Sequence, residues 1–127
     1  MRNPEDILKQ WMLAVNNGEL EALLALYSEK AVLIPTFSNR LLNQPEKIRN
    51  YFENLNAREE LSVALHEKTV ETQQISENIF AVCGIYCWRF AVESELLSFE
   101  ARFSLLLDNS LPNPIIQHHS SQIPRTL

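Results

Sequence analysis

The reading of the fold turns on IFAVCGIYCWRFAV, residues 79–92. Along a strand, successive side chains point to opposite faces. Phe80, Val82, Tyr86, Trp88 and Phe90 then share one face, and Ile79, Ala81, Cys83, Ile85 and Cys87 share the other. Arg89 falls on the face opposite to Tyr86. A strand that is apolar on both sides is covered on both sides. One cover is expected to be helical. The other is expected to be a second copy of the chain, because three helices cannot readily cover both faces of a sheet this size.

Downstream, Glu93–Leu97 turns the chain, Phe99–Leu107 reads as a strand, and Asp108–Asn113 is a turn before a last strand in PIIQHHSSQIP, residues 114–124. Upstream, Glu77-Asn78 is a turn and Ser62–Ile75 reads as one long solvated strand. The first half has a helical period instead. Residues 3–16 read as a helix: Asn3 caps it, Pro4 suits its first position, and Glu5 and Asp6 favour the positive end of its dipole. Ile7, Leu8, Trp11, Met12 and Val15 form one apolar stripe, and Asn16-Asn17-Gly18 ends the helix. Residues 19–29 read as a second helix that buries Leu20, Leu23, Leu24 and Tyr27. AVLIP, residues 31–35, is a short strand stopped by Pro35. After a polar loop over residues 36–44, Pro45 opens a third helix with Ile48, Tyr51, Phe52 and Leu55 on its apolar stripe. Helices gathered first and antiparallel strands gathered last imply a single α+β domain over residues 1–127. Three N-terminal helices pack on one face of a curved, mostly antiparallel sheet.

The chain has 127 residues, 46% of them hydrophobic, which suits one core. Its net charge of −5 gives no support for binding nucleic acid or an anionic membrane surface. No apolar run approaches the ~18 residues a membrane helix needs, and residues 1–10 lack the apolar core of a signal peptide. A cytoplasmic location is expected. Cys83 and Cys87, four residues apart on one strand, would place their Cα atoms ~13 Å apart, beyond the ~7 Å limit for a disulfide. They read as two small buried thiols, and no metal site or cofactor is expected.

Several stretches resemble a known superfamily. GELEALLALYSEKAVLIPTFSN (18–39), NQPEKIRNYFENL (43–55) and CGIYCWRF (83–90) are similar to the second helix and first strand, the third helix and the central Gly-x-Tyr strand of the nuclear transport factor 2-like, or SnoaL-like, superfamily. EARFSLLL (100–107) followed by IIQHHSSQIP (115–124) resembles the association (hub) domain of calcium/calmodulin-dependent protein kinase II, and more closely its free-standing bacterial relatives, some labelled SgcJ/EcaC-type. Gln117 stands where those relatives usually have the first of three histidines, and Leu111-Pro112-Asn113-Pro114 replaces their usual Asp-Gly-x-Trp turn. The resemblance implies a cone-shaped fold with a pocket between helices and sheet, and a homodimer or larger ring. It carries pocket arginines onto Arg89 and Arg102. It carries over no kinase activity, since no kinase domain is present.

Candidate site residues follow. His118 and His119 are adjacent, so on a strand they face opposite ways and cannot readily hold one metal together. By match to the pattern His119 is placed toward the pocket and His118 reads as structural or interfacial. Arg102 lies two residues from Glu100; it either pairs with that carboxylate or holds a small carboxylate or other anionic ligand in a guanidinium fork. Arg102, His119, Arg89 and Tyr86 are the expected ligand-binding set. Glu100 and His119 are the reasonable proton-transfer pair. Two functions stand side by side: an oligomeric association and ligand-binding module, or a small isomerase, cyclase or hydrolase that uses His119 and Glu100. A transcription or transport adaptor is a third.

Overall fold

A computed structural model describes residues 2–124. Three helices, α1 (Pro4–Asn16), α2 (Leu20–Leu24) and α3 (Pro45–Asn56), pack on a six-stranded sheet. Its strands are β1 (Tyr27–Ile34), β2 (Ser62–Leu65), β3 (Glu71–Gln74), β4 (Ile79–Val92), β5 (Glu95–Asp108) and β6 (Ile115–Gln122). The order is β1-β6-β5-β4-β2, with β3 also on β4; only β1 and β6 pair in parallel. The sheet is curved and unclosed, and the expected α+β class holds.

The Asn3 side chain accepts from Glu5 N–H at 2.9 Å, and Pro4 fills the first turn of α1. At the other end Asn16 clamps β2, its side chain accepting from Val63 N–H (2.8 Å) and donating to Val63 C=O (2.9 Å). β4 and β5 pair in unbroken register from Ile79↔Asp108 to Val92↔Glu95. The link is the two-residue turn Glu93-Ser94, both with positive φ, 51° and 67°. A right-twisted hairpin favours that turn geometry even without glycine.

Three boundaries differ from the sequence reading; in one, the turn expected over Glu93–Leu97 is only Glu93-Ser94, and β5 begins at Glu95 instead of Phe99. The second helix stops at Leu24, and Tyr27 opens β1 instead of closing the helix. Long-range bonds end it: Ile115 N–H donates to Leu26 C=O (2.8 Å) and the Asn113 amide donates to Ala25 C=O (2.5 Å). The expected strand over residues 62–75 is two short strands split by a 3-10 turn at Glu67–Thr69. There the Thr69 hydroxyl accepts from Ile85 N–H (2.9 Å) and donates to His66 C=O (2.7 Å), replacing a missing strand partner. Gly84 makes room for it: a Cβ there would lie 3.1 Å from Thr69 Oγ1.

The core lies between the helices and one sheet face. Tyr86 stacks between Trp11 (centroids 5.4 Å apart) and Phe103 (4.5 Å), while Trp88 meets Trp11 edge-on. The opposite face carries Ile79, Ala81, Cys83, Ile85, Arg89, Glu100, Arg102, Ser104 and Leu106 in register, and no helix among the described residues covers it. Cys83 and Cys87 are free thiols.

Candidate functional site

β6 passes between β1 and β5, and its register decides which histidine enters the core. Leu105 pairs with His118 and Ser104 with His119, so His118 shares the inward face of Leu105. His118 is 2% exposed and His119 is exposed on the outer face. The inward placement expected for His119 is therefore corrected to His118. The sequence pattern carried no parity signal, because both faces of HHSS are polar.

Around His118 the polar groups form a chain. Trp11 Nε1–H donates to the Tyr27 hydroxyl (3.0 Å), which lies 2.7 Å from His118 Nδ1. Indole can only donate, so the Tyr27 proton is best used toward Nδ1; the reverse would leave it buried and unpaired. The neutral ring then carries its proton on Nε2 and donates to the Tyr86 hydroxyl (3.1 Å). Burial, with the nearby His119 adding to it, drives the His118 pKa down to about 3. Burial raises Tyr27 and Tyr86 well above the ordinary tyrosine value. At neutral pH this is a set of uncharged, hydrogen-bonded groups sealed from solvent. It holds four elements together and offers no accessible acid or base. Beyond it, Ser120 (3% exposed) and Thr36 share a 2.5 Å hydroxyl–hydroxyl bond.

The residues expected to share a pocket are split between the faces. Tyr86 lies inside; Arg89, Arg102 and His119 lie on the outer face. Glu100 is also outside, and its carboxylate meets His66 Nε2 at 2.8 Å in place of Arg102. His119 Nε2 lies 2.7 Å from Ser121 Oγ. His119 stands beside Ser104, four residues along β5 from Glu100, a span of ~13 Å that prevents direct proton transfer. Arg89 and Arg102 have no carboxylate within 4.0 Å among the described residues. The space between helices and sheet, expected to be a pocket, is filled by Trp11, Tyr27, Tyr86, Trp88, Phe103 and His118. Among the described residues no group of three or more His, Cys, Asp or Glu could hold a metal ion.

A roomy cavity lies elsewhere. It measures about 510 Å³ and separates α3 from the loop after β1. Phe37, Leu42 and Leu55 line it, and Arg40, Lys47 and Arg58 ring it. Sequence reasoning missed it. Lys47, Asn50, Asn54 and Arg58 do recur at helical spacing without an acidic residue, but such a stripe reads first as a solvated face.

The structure is similar to a proposed calcium/calmodulin-dependent protein kinase II association domain from Xanthomonas campestris (23% identity, TM-score 0.82, covering 94% of this chain and 84% of that one). It is also similar to an NTF2-like protein with a cystatin-like fold from Novosphingobium aromaticivorans (10%, 0.75, 95% and 80%). A third likeness is to a ketosteroid isomerase-like protein from Erwinia carotovora atroseptica (13%, 0.75, 94% and 93%). At these identities the likeness concerns the fold, which hosts both association domains and enzyme-like proteins. No curated protein matches the chain. The SnoaL-like domain model matches residues 5–126, and the chain therefore belongs to the SnoaL-like family within the NTF2-like fold.

Proposed function

We propose that this chain is an association module that pairs with a second copy through the uncovered face of its sheet. One observation carries the reading. Val32, Ile34, Ala81, Cys83, Ile85 and Leu106 are half-buried on a face that no element among the described residues covers. Apolar surface of that kind marks an interaction site. The face also carries exposed Glu100, Arg89 and Arg102. A two-fold interface needs one patch that complements itself, and a patch with both signs of charge meets that need. Arg89 and Arg102 then act across the interface, and a larger ring would reuse the same pairs. The likeness to a proposed association domain agrees with this reading. The two free thiols suit a reducing, cytoplasmic setting.

The alternative, a small enzyme using His119 and Glu100, has weaker support. Each of those side chains already has a partner, and neither faces the interior.

Sedimentation of the protein from 1 to 100 μM tests the proposal. The expected species is a dimer, twice the 14.7 kDa chain. Ile85→Asp with Leu106→Glu is expected to return it to monomer without loss of fold. A wild-type protein that stays monomeric at every concentration would sink the idea.

A further inference from the structure

The cavity beside α3 combines features that no internal role explains. Arg40, Lys47 and Arg58 converge on it, and none has a carboxylate within 4.0 Å among the described residues. No acidic residue lines it, although the chain as a whole carries −5. Three like charges around one opening repel each other, so the arrangement is costly unless an anion joins it. The nearby Arg49 shows the contrast: its guanidinium is held bidentately by Glu21 at 2.6 and 2.8 Å.

The floor is apolar and anchored. Phe37 packs edge-on against Trp88, Phe90 and Phe99, and Leu41 leaves 63% of its surface exposed at the rim. Arg58 lies over the Phe90 ring at 4.9 Å, which positions its guanidinium without neutralising it. The Tyr51 hydroxyl accepts from Phe37 N–H (3.2 Å), so its own proton is free to be donated. Burial pushes that phenol's pKa up to about 12, keeping it a donor at neutral pH. At about 510 Å³ the cavity falls in the usual range of small-molecule sites, ~300–1,000 Å³.

We infer that this groove binds a small organic acid: an apolar body against Phe37, Leu41 and Leu42, with a carboxylate or phosphate-monoester head held by Arg40, Lys47 and Arg58. The concave shape and the acidic balance of the rest of the chain favour a small molecule over a nucleic acid or a membrane surface.

Titration of ¹⁵N-labelled protein with octanoate, octyl phosphate, octan-1-ol and acetate tests this. The expected result is saturable shifts confined to Phe37 N–H and the Asn50 and Asn54 side-chain amides with at least one of the two C8 acids. Octan-1-ol and acetate should each bind at least ~10-fold more weakly than that acid. The tighter of the two acids identifies the head group. The triple variant Arg40→Gln, Lys47→Gln, Arg58→Gln should lose at least ~10-fold in affinity, and Leu41→Glu should lose as much by an independent change. The inference is overturned if neither acid moves those amides, if octan-1-ol binds as tightly as the better acid, or if both variants retain full affinity. Ile85→Asp with Leu106→Glu leaves the groove untouched and should bind like the wild type, so this test stands apart from that of pairing.

Discussion

On the helix side of β4 and β5, Tyr86, Trp88, Phe103 and Leu105 are almost inaccessible; one residue along, on the other side, Ile85 is half-buried and Arg89, Arg102 and Ser104 are exposed. On the inner face Trp11, Tyr27, His118 and Tyr86 hydrogen-bond one another, while the buried Trp88 indole N–H has no partner among the described residues. The outer face leaves its arginines without carboxylate partners among the described residues and its aliphatic groups half covered. Changes on the inner face should therefore be read as stability, and, on the proposed pairing, changes on the outer face as association.

The sharpest break is Trp11→Ala. Trp11 is fully buried, stacks on Tyr86 and donates to Tyr27. Truncating it should cost about 3–5 kcal/mol of unfolding free energy, measured by urea denaturation at pH 7. A loss under about 1 kcal/mol would mean the interior is not closed as described.

Acid is the next lever. The folded pKa of His118 is depressed to about 3, against an ordinary value of 6.5. As pH falls, the unfolded chain takes up the proton first. Its contribution is complete above pH 6.5 and is lost progressively down to about pH 3, at up to about 1.4 kcal/mol per pH unit. That amounts to about 2 kcal/mol between pH 6.5 and 5. His118→Gln, neutral throughout, should be less stable at pH 7 yet show a flatter acid limb. Parallel limbs for the two proteins would remove His118 from the account.

Gly84→Ala should cost about 1–3 kcal/mol, the usual range for overpacking, because the new Cβ would press on the Thr69 hydroxyl, held by two hydrogen bonds, and on the Phe103 ring. A double-mutant cycle with Thr69→Ala should show coupling, and additivity would point to another cause. Arg102→Gln, on the outer face, should change monomer stability by less than about 0.5 kcal/mol, while weakening self-association in sedimentation. An effect on stability alone would reverse the contrast between the faces.

Much of this was legible in the residues. The stripe of α1, the apolar face of α3 and the two-sided alternation of β4 are local signals, and each appears where its period places it. The misses are non-local. Asn113, in the turn before β6, and Ile115, at its start, end α2 by hydrogen bonding to Ala25 and Leu26, which no helical window around residue 25 reveals. Thr69 stands in for a strand partner with a hydroxyl, which looks in sequence like any threonine of a β segment. His118 and His119 could not be told apart because the register with Leu105 selects the inner one. The α3 groove exists only where a loop 36–44 residue such as Arg40 meets a helix residue such as Lys47.

The parallel pairing of β1 with β6 has a kinetic consequence. Tyr27 and His118, bonded in the centre of the core, are 91 residues apart in the chain. At synthesis rates of ~5–20 residues per second, that separation takes on the order of 5–20 s to emerge from the ribosome. Until then β1 lacks its partner strand, although Trp11 and Phe52 are already present to meet Tyr27 and Leu42 to meet Leu33. Hydrophobic collapse of α1 and α2 can begin early, but the contact that locks the domain is among the last available. A pause in translation between α3 and β6 would therefore prolong exposure of an open strand edge, and aggregation during synthesis should track that interval more than the stability of the finished fold.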